Sequence, residues 1–167
     1  MLSKERLWEV LDYHEDGTLT WKRRPKGSPG WNSSLEGREA GTLRNDGYLM
    51  VSVDGCRILN HRAIFLMHKG YLPEKVDHKD TIRTHNWIDN LREATTGENA
   101  CNRAAPNKNN LVGHKNISQR GNKYRVTISR KGNRYSKTCS SLEEAIKWRD
   151  QTLLEIHGVF ANNGDNK

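Results

Sequence analysis

The sequence predicts an α+β protein made of two small units. Short segments with a helical spacing of apolar residues alternate with strand-like segments that are separated by turn signals. Only 34% of the 167 residues are apolar, which is too few for one large core. Residues 104–110 (AAPNKNN) are small and polar and contain a proline, as is typical of a linker. We therefore expect a first domain over residues 1–103, a linker over 104–110, a second domain over 111–161 and a disordered tail over 162–167.

Basic residues are concentrated in one part of the chain. The formal net charge is +8, and residues 106–140 carry nine Lys and Arg without one Asp or Glu. Such a block favours binding to a polyanion, so nucleic acid is the expected partner. No apolar run reaches the roughly 18 residues that a membrane span needs, and no membrane partner is expected. The three cysteines are far apart without a Cys-x-x-Cys pair, which argues against a disulfide framework and a zinc ribbon and favours a reducing cytosol.

The first part of the chain predicts a helix followed by a β-hairpin region. Ser3 can cap a short helix that ends at Leu11, and an Asp-Gly turn at residues 16–17 leads into a strand over 18–22. Residues 25–41 hold two prolines and several glycines, so we expect a long loop there.

A second hairpin and a helix are predicted next. Strands over residues 47–53 and 56–60 flank the Asp-Gly turn signal at 54–55. Residues 61–69 place apolar side chains at helical spacing, and the helix should end at Gly70.

A polar segment follows this helix. Pro73 favours extended backbone into residues 76–78. We expect a polar loop over residues 79–90 and a helix over 95–103.

Beyond the linker, the pattern predicts a three-stranded antiparallel sheet covered by one helix. Residues 123–129 alternate strictly, a further strand covers 134–139, and Ser141 with Glu144 forms a capping box for a helix that ends at His157. The side chains on the inner face of the alternating strand are Tyr124, Val126 and Ile128. The basic side chains therefore lie on the uncovered face, which we expect to contact nucleic acid.

Several short motifs follow one another from the helix predicted over residues 61–69 to the start of the helix predicted over 95–103. They are His61-Arg62, Gly70-Tyr71-Leu72-Pro73, Val76-Asp77-His78 and Asn90-Leu91-Arg92. Together they resemble the HNH endonuclease family of the phage and intron-homing type. The resemblance implies a ββα-metal nuclease fold over about residues 61–103, preceded by the helix and hairpin region of residues 1–60.

The resemblance also implies roles for four side chains. His78 would act as the general base, and Asn90 would hold the following loop so that His78 is correctly aimed. Asp77 and Asn99 would bind one divalent cation. Oxygen ligands of this kind favour Mg²⁺ or Mn²⁺ over zinc, and no other cofactor is expected.

The loop departs from the family pattern in ways that leave two questions open. Thr81 stands where the family usually has glycine, which affects the loop conformation rather than the chemistry. His85 can be interpreted as a third metal group or as a loop residue that contacts phosphate, and we favour the second interpretation.

The C-terminal part resembles the plant-type APETALA/ethylene-response-factor DNA-binding domain. The matching segments are residues 113–117 (GHKNI), 121–128 (GNKYRVTI), 142–145 (LEEA) and 156–161 (IHGVFA). The resemblance implies that the sheet lies in the major groove of double-stranded DNA. The expected DNA-contacting residues are Arg120, Lys123, Arg125, Arg130 and Arg134. The register of the last strand leaves a choice between Arg134 and Lys137.

The sequence thus predicts a metal-dependent, homing-type DNA endonuclease that hydrolyses phosphodiester bonds. The principal alternative is a non-catalytic, sequence-specific DNA-binding protein with a decayed nuclease domain, and a second alternative is an RNA-binding module. The complete set of four site residues favours the enzyme, because decay is expected to break at least one. We expect a monomer rather than a homodimer, and the resemblance further implies a phage-encoded protein located in the bacterial host cytoplasm.

Overall fold

The computed structural model describes residues 2–23, 34–101 and 109–164. It is an α+β protein, as predicted, with small antiparallel sheets and helices. The chain divides into two compact units, Met1–Ala94 and Thr95–Lys167. The first unit thus ends before the last helix that we assigned to the first domain, and the domain limits of 1–103 and 111–161 stay a prediction. Most of the expected linker lies outside the described residues.

Helices and strands alternate in the first unit. Its described elements are α1 (Lys4–Val10), β1 (Leu11–Tyr13), β2 (Leu19–Trp21), β3 (Thr42–Leu43), β4 (Leu49–Val53), β5 (Cys56–Leu59), α2 (Asn60–Lys69), β6 (Lys75–His78), a 3₁₀ turn (Ile88–Asn90) and β7 (Leu91–Ala94). They form three antiparallel sheets, which pair β1 with β2, order β3-β4-β5, and pair β6 with β7. Among these residues no helix is long and apolar enough to cross a membrane, and the same holds for the described part of the second unit.

Two details of this unit differ from the prediction. Helix α1 ends at Val10 rather than Leu11, because Leu11 pairs with Trp21 and begins strand β1. Strand β7 is an element that the sequence does not predict, since Leu91–Ala94 lacks an alternating pattern and is extended through its pairing with β6. Much of the loop expected over residues 25–41 lies outside the described residues.

The core of the first unit joins the N-terminal elements to α2. Ser3 accepts a hydrogen bond from Arg6 N at 3.2 Å and caps α1, while Gly70 ends α2 with a φ of 81°. Trp8 Nε1 donates to Met67 O at 2.9 Å and thereby fastens α1 to α2. The buried apolar side chains contributed by the N-terminal elements and α2 include Leu7, Val10, Leu11, Leu19, Ala63, Ile64, Phe65, Leu66 and Met67.

The second unit has the architecture predicted from its alternation. Its described elements are α3 (Thr96–Cys101), β8 (Ile117–Arg120), β9 (Lys123–Arg130), β10 (Asn133–Cys139), α4 (Leu142–His157) and a 3₁₀ turn (Gly158–Phe160). The three strands form an antiparallel sheet in the order β10-β9-β8. Ser141 accepts from Glu144 N at 3.2 Å and caps α4, and Tyr124 packs against the core, as expected. The buried apolar residues between sheet and helix are Ile117, Val126, Ile128, Cys139, Ala145 and Leu153.

The C-terminal end of the second unit is packed farther than predicted. Asn162 is buried, whereas we expected a disordered tail from this residue. Arg149, which is fully buried in α4, donates to Asn163 O at 3.1 Å, and Lys115 Nζ donates to Asn162 O at 2.8 Å. The ordered structure therefore extends to at least Gly164, because buried donors hold this segment's carbonyl groups.

Candidate active site and nucleic-acid interface

The motif residues of the first unit meet at the β6–β7 hairpin. Asp77 and His78 end strand β6, where they pair with Arg92 and Leu91 of β7. The intervening loop is closed at its base by a hydrogen bond from Lys79 N to Asn90 O at 2.9 Å. Two adjacent residues of a strand direct their side chains to opposite faces, so Asp77 and His78 face different surroundings.

Asp77 forms a buried ion pair with Arg92. Arg92 Nε donates to Asp77 Oδ2 at 2.9 Å, and the second guanidinium nitrogen lies 2.8 Å from the same oxygen. Both side chains are largely enclosed, with 7% of Asp77 and 12% of Arg92 exposed. Because the strand pairing places the two residues opposite each other, Arg92 fixes the orientation of the Asp77 carboxylate.

His78 lies in an enclosed cluster of rings. It is 3% exposed, with its ring centroid 4.9 Å from that of His61 and 6.1 Å from that of Tyr48. Burial lowers the pKa of His78, an effect that its hydrogen bond with Asn86 only partly offsets. His78 is therefore a neutral imidazole near neutral pH, the form that can accept a proton.

His61 packs under the site at the start of α2. Burial, with the neighbouring charges of His78 and Arg62, lowers the pKa of His61 to about 3. His61 therefore stays neutral under physiological conditions and serves as a packing partner for the His78 ring.

Asn90 holds the loop through three hydrogen bonds. Its Nδ2 donates to Asp80 Oδ1 at 3.0 Å and to His85 O at 2.7 Å, while its Oδ1 accepts from Asp80 N at 3.1 Å. Burial alone would raise the pKa of the Asp80 carboxyl, but hydrogen bonds from Asn90, Ile82 and His85 lower it overall. These contacts are those of a residue that shapes the loop, and the catalytic consequence expected for Asn90 stays a prediction.

Two of the departures from the family pattern, Thr81 and His85, have structural counterparts. Thr81 adopts a φ of 67°, a conformation that glycine reaches without strain, so the loop turns left-handed here despite the β-branched side chain. His85 Nδ1 lies 2.7 Å from Asp80 Oδ2, and its backbone oxygen accepts from Asn90. His85 is thus a loop residue, as favoured, while its contact with phosphate stays a prediction.

Asn86 is a buried site residue that sequence reasoning missed. It is 1% exposed, and its Oδ1 lies 2.9 Å from His78 Nε2. Its position depends on close packing of the β1–β2 turn, where a Cβ on Gly17 would come within 2.9 Å of Asn86 Cα and closer still to Trp87 N. No sequence signal distinguishes Asn86 from the other polar residues of this loop.

The remaining predicted ligand, Asn99, belongs to the second unit. It is an exposed residue of α3, a helix whose first turn is capped because Glu98 N donates to Thr95 Oγ1 at 3.2 Å and Glu98 Oε2 accepts from Thr95 N at 2.9 Å. Within residues 2–23, 34–101 and 109–164, no three His, Cys, Asp or Glu side chains form a metal-binding group. A carboxylate and an amide oxygen nevertheless suit a hard cation such as Mg²⁺, which keeps several water ligands. The ligand roles of Asp77 and Asn99 stay predictions.

The uncovered face of the C-terminal sheet carries most of the predicted DNA-contacting residues. Arg120 pairs with Lys123, and Arg125 pairs with Ser118 and Thr138, all on the face opposite the core residues. Each of these three basic residues is exposed. We name this surface the basic sheet face, defined by Arg120, Lys123, Arg125 and Arg134.

The strand register places Arg134 and Lys137, between which the sequence left a choice, on opposite faces of the sheet. Arg134 pairs with Ser129 and belongs to the basic sheet face, whereas Lys137 pairs with the core residue Val126. Lys137 Nζ lies 3.1 Å from Glu144 Oε1 on the side of the helix. Arg130 lies two residues after Ile128 and therefore on the same, helix-facing side of the sheet. It is not part of the basic sheet face, and its expected contact with DNA stays a prediction.

Comparisons with known proteins agree with the motifs of the first unit. The family model described as HNH endonuclease matches residues 59–101. Protein 3.8 of Escherichia phage T7 is 34% identical over 95 residues, which cover 56% of this chain and 75% of that protein. A solved structure titled "DNA binding and cleavage by the HNH homing endonuclease I-HmuI" covers 90% of this chain and 86% of its own, with a TM-score of 0.42 and 19% identity. The matched segment contains Asp77, His78, Asn90 and Asn99. On the sequence evidence, the chain belongs to the HNH endonuclease family.

Proposed function

We propose that this protein is a divalent-metal-dependent, homing-type DNA endonuclease. The observation that carries the proposal is the buried Asp77-His78 pair at the end of β6, inside the segment that matches the HNH family. Burying two adjacent polar residues is unfavourable unless each has a hydrogen-bond partner. Here Asp77 is paired with Arg92, and His78 with Asn86.

His78 is the general base of the proposed reaction. It accepts a proton from the water that attacks the phosphorus atom of a DNA phosphodiester. The bond from phosphorus to the 3′ oxygen breaks, and this oxygen takes up a proton from solvent, which leaves a 5′-phosphate and a 3′-hydroxyl end. Asn90 supports this step by holding the loop between β6 and β7.

Asp77 and Asn99 would hold the cation, Mg²⁺ or Mn²⁺. When bound, the cation supplies charge neutralisation at the scissile phosphate and the departing oxygen. The donor chemistry of Asp77 fits such an ion, because a carboxylate oxygen is a preferred ligand of hard cations, and Arg92 fixes its orientation. Arg92 also balances the charge of Asp77, which makes the buried carboxylate tolerable.

The second unit supplies affinity for double-stranded DNA through the basic sheet face. Its four basic residues lie on neighbouring strands of one uncovered surface, which suits contacts with phosphates and base edges. The likeness of residues 111–161 to the APETALA/ethylene-response-factor domain supports placing this sheet in the major groove. A monomer in the host cytoplasm of a phage-infected bacterium is the setting that we propose.

A cleavage assay on supercoiled plasmid and phage-genomic DNA tests the proposal. We expect nicked or linear product with Mg²⁺ or Mn²⁺, none with EDTA, and a loss of roughly 10²–10⁴-fold in rate for His78→Ala. His14→Ala is the matched control, because His14 is exposed in the β1–β2 turn.

Two outcomes would count against the proposal. Cleavage by His78→Ala at the wild-type rate would remove the base assignment. A wild-type protein that binds DNA but cuts none of these substrates with either metal would favour the alternative of a decayed nuclease that acts as a DNA-binding protein.

A further inference from the structure

Asn86, and not Asn90, is hydrogen-bonded to the His78 ring. Asn90 bonds to Asp80 and His85 and shapes the loop, whereas Asn86 Oδ1 lies 2.9 Å from His78 Nε2. In this orientation of the Asn86 side chain the amide oxygen faces the ring and has no hydrogen to donate, so Nε2 carries the proton of this hydrogen bond. In a neutral imidazole, Nδ1 then holds the lone pair that accepts a proton.

Asn86 is itself fixed by the N-terminal hairpin. The peptide between Asn86 and Trp87 lies against Gly17, whose φ of 88° and missing Cβ allow the close approach. Ile88 N donates to Tyr13 Oη at 3.1 Å, so strand β1 and the turn after it both hold the segment that presents Asn86. At 1% exposure Asn86 has no space to rotate toward solvent.

We propose that Asn86 is a positioning residue that sets the tautomer and orientation of His78, and that the β1–β2 hairpin holds Asn86 in place for this task. This role rests on the proposed nuclease function. It gives the two asparagines different tasks: Asn90 shapes the loop, and Asn86 orients the ring of the base. An orienting partner of this kind matters because a base acts efficiently only when the correct nitrogen faces the water.

The tautomer of His78 is a direct readout that needs no activity. Long-range ¹H–¹⁵N NMR of the full-length protein distinguishes a proton on Nε2 from one on Nδ1, and the His78 signals are assigned by their loss in His78→Ala. We expect the Nε2–H form in the wild type and a mixture of both forms in Asn86→Ala. Asn86→Asp keeps an acceptor oxygen at the same position and should retain the Nε2–H form.

Single-turnover cleavage with saturating protein measures the consequence for the reaction. We expect Asn86→Ala to cleave about 10- to 100-fold more slowly than the wild type at unchanged DNA affinity, and Asn86→Asp to recover most of the rate. Asn45→Ala is the matched control, since Asn45 is an exposed asparagine of the same unit. Thermal unfolding of each variant confirms that the rates belong to folded protein.

The outcomes separate this proposal from the proposed function. A wild-type His78 with its proton on Nδ1 would overturn the role of Asn86 whatever the activity. Folded Asn86→Ala with wild-type cleavage would overturn it as well. If neither wild type nor variants cut DNA, the nuclease proposal fails, while the tautomer shift between wild type and Asn86→Ala still decides whether Asn86 sets the state of His78.

Discussion

The two units treat their functional side chains in opposite ways. In the first unit the candidate site residues Asp77, His78 and Asn90 are all buried, and so is Asn86 beside them. In the second unit Arg120, Lys123, Arg125 and Arg134 all lie exposed on one sheet face. The difference matches the two tasks that we propose for these surfaces. Proton transfer needs a few groups held at fixed distances by packing, whereas attraction of a polyanion needs accessible charges with little fixed geometry.

The largest expected effect is the loss of stability in the first unit when Gly17, which lies far from the site in sequence, is replaced. Gly17→Ala should lower the free energy of unfolding of the first unit by about 3 kcal/mol or more, because the new Cβ meets the Asn86–Trp87 backbone and the φ is 88°. Gly55→Ala is the matched control, with a φ of 78° and no atom within 4 Å of its Cβ, and it should cost only about 1–2 kcal/mol. Urea unfolding measures both. Equal effects of the two substitutions would mean that the Gly17 contact does not support the site.

A second, smaller effect concerns acid. The pKa of His61 in the folded protein is about 3, below the ordinary value of 6.5. Between these two pH values His61 binds a proton in the unfolded chain but not in the folded protein. His61 therefore costs stability as the pH falls from 6.5 toward 3, with a slope of up to about 1.4 kcal/mol per pH unit, and has no such effect above pH 6.5.

Replacement of His61 tests this sign. His61→Gln should unfold with a flatter dependence on pH between 7 and 4 than the wild type, measured by urea midpoints at each pH. His14→Gln, at an exposed position, should keep the wild-type slope. A His61→Gln slope that equals the wild-type slope would contradict the buried, neutral state of His61.

The smallest expected effect concerns the second unit and is a change in DNA affinity and in its salt dependence. Lys123→Ala and Arg125→Ala should each weaken DNA binding and lower the salt dependence by about 0.9 in log–log slope for every phosphate that the variant no longer neutralises, without a change in folding. Lys137→Ala removes the same charge from the helix side of the sheet, where Lys137 pairs with Glu144, and should leave the slope nearly unchanged. Filter binding across a salt series distinguishes them. A Lys137 effect as large as that of Lys123 would mean that net charge, and not the basic sheet face, governs binding.

Local patterns predicted the elements whose cause is local. The Asp-Gly turn between β4 and β5, the end of α2 at Gly70 and the alternation of β9 all depend on residues within one turn or strand. The same alternation placed Lys123 and Arg125 on the uncovered face, since a period of two fixes the side of every residue once one side is buried.

Features that depend on distant partners escaped prediction. Strand β7 is extended because β6 lies beside it, and Asn86 meets His78 because the N-terminal hairpin packs behind the loop. Arg149 lies among the apolar positions of α4, but nothing in the sequence signals its buried hydrogen bond to the carbonyl oxygen of Asn163. The left-handed Thr81 was equally hidden, because a β-branched residue argues against that conformation.

The packing of α1 and the β1–β2 hairpin against α2 sets a limit on how this motif can be inherited. Residues 59–101 are recognisable as a stretch of sequence, yet their helix buries Ile64 and Met67 against Leu7, Leu11 and Leu19, which precede the stretch. If these residues were transferred alone to another gene, the apolar face of their helix would be exposed to solvent. The loop between β6 and β7 would also lack its contact with the β1–β2 hairpin. The folding unit is accordingly larger than the matched residues 59–101, and genetic exchange that preserves this fold must carry the preceding segment along.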